Sequence, residues 1–241
     1  MSSSRRTALV AGVFYLITFV SIPTLALYGP VRTNRDYITT TGANTGVLWG
    51  AFLEVVVALA GIGTAVTLFP IVKRQHEGVA LGFVATRVLE AAMIFTGVVS
   101  LMSLVTLRQD LGAAAGADTA SLATTGAAFV ATYHWTFLLG QSLMPGLNAL
   151  LLGSLMYRSR LVPRIIPTVG LIGAPLLITA CIATLFGLID QVSVWSGLAA
   201  LPVALWELSL GIWLVVKGFR PSPLTSTGVP QTGAPAALPV A

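Results

Sequence analysis

The stretch VALGFVATRVLEAAMIFTGVVSLMSLVTL, residues 79–107, decides the fold. As a helix it is long enough to cross a hydrocarbon core of roughly 30 Å. Arg87 and Glu90 nevertheless sit near its middle. Three residues apart, they share one helix face and can pair. A charged side chain inside a transmembrane helix costs roughly 2.5–3.5 kcal/mol on insertion scales, so it faces protein or water and usually has a use.

Five further apolar runs lie on either side of this one. Together they predict helices at about 7–28, 47–72, 79–107, 122–157, 165–189 and 195–217. The expected fold is all-α, a polytopic membrane helix bundle with six transmembrane helices in one domain over 1–220. Composition agrees: hydrophobic residues are 56%, charged residues 9% and mean hydropathy is +0.90. Soluble domains carry roughly 25% charge.

The net charge of +5 does not point to nucleic acid. Its basic residues fall in short clusters between apolar runs, and no Lys/Arg stripe interleaves with aromatics. Arg5, Arg6, Lys73, Arg74, Arg158, Arg160, Arg164, Lys217 and Arg220 fall on one side of the predicted topology. Arg32, Arg35 and Arg108 fall on the other. That bias places both termini in the cytoplasm. The first run resembles a signal peptide behind Arg5-Arg6, but its length and the lack of a small-x-small site make it an uncleaved helix.

Between helices, residues 30–46 and 108–120 read as polar loops, and 73–78 as a tight hairpin connection. Pro145-Gly146 predicts a kink in the fourth helix. Residues 221–241, uncharged and rich in Pro and Gly, are expected to be disordered. The single Cys181 reads as a small packed hydrophobe, and no metal or cofactor spacing occurs.

Polar groups inside the apolar runs are the candidate site. Counting from the cytoplasmic helix ends at ~1.5 Å per residue, Glu54 lies ~25 Å up, Gln141 ~21 Å, Glu90 ~16 Å, Glu207 ~13 Å, Arg87 ~12 Å and Asn148 ~10 Å. His134 comes out ~31 Å up, beside Tyr133 and Trp135. His134, Gln141 and Asn148 recur every seven residues and so share a helical face. Small residues accompany two of the acids: Ala58, Gly61 and Ala65 follow Glu54, while Ala200, Ala204 and Gly211 flank Glu207. The predicted arrangement is a polar column from the outer surface to just below the midplane. By height, Glu90 and Glu207 are the better partners for Arg87 than Glu54.

One arginine against three glutamates leaves two carboxyls in surplus. If all four were charged, the site would hold a costly excess of negative charge unless a proton, water or a cation entered. One reading is a binding or transport site for a small polar, anionic or lipid-like ligand, with proton coupling. A second is an accessory protein whose ion pair only holds helices together. A third, an intramembrane lipid-modifying enzyme, lacks any nucleophile–base pair in the sequence, so no residue is assigned as catalytic. The surrounding bilayer is the one partner composition implies; oligomeric state is not readable.

Several segments carry a resemblance: RRTALVAGVFYLIT near the start, YGP at 28–30, DYI at 36–38 and Glu54. The run LFPIVKRQHEGVALGFVATRVLEAA at 68–92 and the WE to KGF segment at 206–219 extend it. On these the chain resembles the bacterial integral-membrane proteins of domain-of-unknown-function family 4386, over about residues 5–220. The resemblance implies a small multi-pass protein of the bacterial cytoplasmic membrane and carries no activity with it.

Overall fold

A computed structural model describes residues 2–34, 36–111 and 118–225. Among the described residues every regular element is helical, and six helical stretches are long and apolar enough to cross a membrane.

The first span combines α1 (Ser3–Ile17), a 3₁₀ turn (Thr18–Ser21) and α2 (Thr24–Leu27). Sequence reading predicted one helix over 7–28. The break centres on Pro23, which has no N–H to continue the ladder. The hydroxyls of Thr18 and Thr24 bond back to the carbonyls of Tyr15 and Ser21 at 2.7 and 2.6 Å. A short α3 (Gly29–Thr33) follows.

Helices α4 (Thr45–Val72) and α5 (Glu77–Leu111) form the next two spans and pack as a hairpin. The fourth span joins α6 (Thr119–Thr136), a π-helical segment (Phe137–Leu143) and α7 (Met144–Ser159). The expected kink at Pro145 is therefore spread over the preceding two turns. Pro145 cannot donate to the Gln141 carbonyl, and the wider π turns take up that missing bond. Helices α8 (Ile165–Leu185) and α9 (Val194–Val216) complete the bundle.

Six passes return the chain to the face it left, here called the terminal face. Arg5 seals that face by donating to the carbonyls of Leu214, Val215 and Val216 at 2.8, 2.6 and 3.3 Å. Those carbonyls end α9 and have no intrahelical partner, and the cation also suits the negative pole of the helix. Gly218, at φ 76°, supplies the left-handed residue that ends the helix beside Arg5. Residues 221–225 form a turn, with the Leu224 carbonyl accepting from Arg74 at 3.0 Å. The remainder of the tail expected to be disordered, 226–241, lies outside the described residues.

The opposite, distal face is built differently from the polar loops predicted there. The fourth span is 41 residues, roughly 60 Å of helix and about twice the hydrocarbon thickness. Its early turns pack with Tyr28, Val31, Ile38, Leu101 and Leu104 into an apolar cap. Arg108 is helical rather than in a loop, and α5 runs a turn beyond its predicted end at Leu107. The Arg108 guanidinium bonds Asn44 Oδ1 and the Thr40 carbonyl (2.9 Å), and it lies 4.1 Å from the centre of the Tyr37 ring. These partners let the charge end the helix in a buried place.

The largest apolar cluster fills the terminal half, around Tyr15, Leu68, Phe83, Leu152, Trp206 and Leu210. Trp206 is 1% exposed and lies flat against α8, where a Cβ on Gly170 would sit 2.6 Å from its Cγ. Between this cluster and the distal cap lies a polar layer.

Candidate functional site

Arg87 enters this layer from α5 and is 2% exposed. Its Nη1 meets Glu90 Oε2 at 3.0 Å, one turn along the same helix. Its Nη2 reaches Glu207 Oε1 on α9 at 2.5 Å and lies 3.5 Å from the Tyr15 hydroxyl of α1. The Tyr15 ring also lies near the guanidinium, 5.4 Å from ring centre to Cζ. From α7, Asn148 Nδ2 donates to Glu90 Oε2 at 2.7 Å, while the Thr86 hydroxyl bonds Asn148 Oδ1. The first, third, fourth and sixth spans thus meet at one guanidinium and its carboxylates.

Glu54 on α4 belongs to a second network nearer the distal face. Its Oε1 accepts from Gln141 Nε2 at 3.1 Å and its Oε2 from the Tyr28 hydroxyl at 3.3 Å. Tyr28 reaches it because Gly50 clears the way: a Cβ there would lie 2.5 Å from the Tyr28 ring. The buried Tyr133 hydroxyl also lies beside the Glu54 carboxyl.

Both networks border a cavity of about 410 Å³. Arg87, Glu90 and Glu207 form its floor, Gln141 stands in its wall, and Gln191 and Ser196 lie near its distal end. Phe19, Ile22, Phe137, Leu177 and Val203 give it mainly apolar sides. Its volume falls in the range of small-molecule sites, roughly 300–1,000 Å³. Cys181 also faces this space. Among the described residues no three His, Cys, Asp or Glu side chains gather to hold a metal ion.

Of the residues singled out from the sequence, Arg87, Glu90, Glu207 and Asn148 form one cluster, and Glu54 pairs with Gln141 in the other. His134 joins neither. It borders a separate distal cavity of about 310 Å³ together with Arg32, and among the described residues its Nε2 has no partner. Seven-residue spacing keeps a face only while the helix stays α; the π segment between His134 and Asn148 shifts that register. Tyr15, Tyr28 and Thr86 were not foreseen. The signal available was a tyrosine inside an apolar run, since its hydroxyl needs a partner there.

The sequence profile described as "Domain of unknown function (DUF4386)" matches residues 10–218. The chain belongs to this family. The matched segment covers most of the first span, the other five spans and both polar networks. Comparisons with curated proteins and with solved structures found no match.

Proposed function

We propose that this membrane protein binds a small amphiphilic ligand in the central cavity and carries it within or across the bilayer. One observation carries the reading: the Arg87–Glu90–Glu207 cluster floors a cavity rather than lying sealed between helices. A buried ion pair adds little stability that apolar packing would not supply, so packing alone gives no reason to keep one beside a cavity. The ligand's apolar part meets the cavity sides and its polar end meets the floor. Arg87 offsets only one of the two floor carboxylates, and a proton is the smallest group that offsets the other, which gives the site a means of proton coupling. The bias of Lys and Arg toward the terminal face supports a cytoplasmic location for both termini, in a bacterial plasma membrane.

The test is ligand-dependent stabilisation of the purified protein in nanodiscs, followed by uptake in proteoliposomes. The proposal expects saturable stabilisation that Ala204→Leu, which fills the cavity wall, abolishes. A wild-type protein stabilised by no amphiphile of either charge would overturn it.

A second reading is favoured by the pairing of Arg87, whose two terminal nitrogens each hold a carboxylate. In it the cluster ties α5 to α9 and binds nothing. It predicts that Arg87→Met with Glu90→Leu and Glu207→Leu retains its cellular role.

A further inference from the structure

The cavity's charge and its opening together specify what enters it. Both terminal nitrogens of Arg87 already hold a carboxylate, Nη1 to Glu90 and Nη2 to Glu207, and its Nε, without a partner among the described residues, is buried in a side chain only 2% exposed. The carboxylates, by contrast, are only half used. Among the described residues neither Glu90 Oε1 nor Glu207 Oε2 makes a hydrogen bond, although the Glu90 side chain is nine-tenths buried and borders the cavity. Ionised, the three floor residues sum to one negative charge, and Glu54 adds another behind Gln141. In surroundings of low dielectric, the ligand that relieves this excess is positive.

The opening is set by the break in the first span. Below it, α1 packs along α9; above it, residues 18–27 lean on α4 instead. The cavity occupies the wedge left between them, with Thr18, Ile22 and Leu25 on one lip and Val192, Ser196 and Ala200 on the other. Ile22 and Val192 are exposed apolar side chains at that lip.

We propose that the cavity takes a lipophilic cation, an amine or quaternary onium with an apolar body, admitted from the distal leaflet between the first and sixth spans. This rests on the ligand-binding reading above and gives the ligand its charge and its route.

The experiment uses two probes of the same shape and opposite charge, tetraphenylphosphonium and tetraphenylborate, with the full chain in nanodiscs of zwitterionic lipid. The expected result is saturable binding of the phosphonium, measured by radioligand displacement, and none of the borate. Glu207→Gln weakens phosphonium binding by about tenfold or more. Should that variant fail to fold, Ile22→Trp tests the lip without touching a charge, and slower phosphonium association is expected. Borate binding equal to or tighter than phosphonium binding overturns the inference while leaving a ligand site in place. Binding of neither probe overturns the inference and removes its foundation as well.

Discussion

Asn148 donates its amide to Glu90 Oε2 at 2.7 Å across the interface of α5 and α7, on the same oxygen that Arg87 holds. The amide therefore orients an acid it does not neutralise. Asn148→Leu should lower stability by about 0.5–2 kcal/mol, the range for a hydrogen bond between membrane helices. Thermal unfolding in nanodiscs reads this directly; an unchanged midpoint would mean the bond contributes nothing.

Arg87 carries a heavier consequence. Arg87→Met strands two carboxylates in the bundle and should destabilise by about 3–5 kcal/mol. Adding Glu90→Leu and Glu207→Leu removes the stranded groups and should recover most of the loss. Recovery of stability without recovery of phosphonium binding would separate packing from function in one series.

Glycines give a packing test with an internal control. Gly170→Ala places a Cβ 2.6 Å from the Trp206 ring, and overpacking of this kind costs about 1–3 kcal/mol. Gly197→Ala, in the first turn of α9 with nothing within 4 Å, should be neutral or stabilise by about 0.4–1 kcal/mol. Equal effects at the two sites would contradict the close fit of α8 against α9.

Cys181 offers a native reporter of cavity occupancy. It is 5% exposed and borders the cavity, with its thiol 3.6 Å from the Leu138 carbonyl. A membrane-permeant maleimide should alkylate it slowly, and more slowly with tetraphenylphosphonium bound or in Ala204→Leu. Mass spectrometry of the alkylated fraction over time gives the rates. Labelling indifferent to both changes would mean that the thiol is reached by another path.

Much of this architecture is legible in the sequence because membranes penalise ambiguity. Twenty apolar residues in a row have few alternatives to a spanning helix, and a charge among them is conspicuous. The spacing of Arg87 and Glu90 announces their pairing, and relative height separates Glu54 from Glu207. What escaped depends on bonds between distant segments. Arg108 reads as a loop residue because Gln109 and Asp110 follow it, and only Asn44 and Tyr37, far back in the chain, make its burial tolerable. Trp206 reads equally as a pocket wall or a lipid-facing ring until Gly170 is seen beneath it. His134 was aligned with Gln141 and Asn148 by a periodicity that Pro145 disrupts from downstream.

The grip of Arg5 on residues 214–216 has a bearing on how the protein is made. Synthesis runs from the amino end, so α1 is made well before the α9 carbonyls that Arg5 holds. Until α9 is inserted, α1 has α4 and the Arg87 side chain of α5 to lean on, and Arg5 lacks the carbonyls it holds here. Closure of this bundle therefore waits for α9. A chain that stalls or is clipped before residue 214 leaves its amino-terminal cation unpaired and the flank of α1 open to lipid, the kind of lesion that membrane quality-control proteases meet at a helix edge.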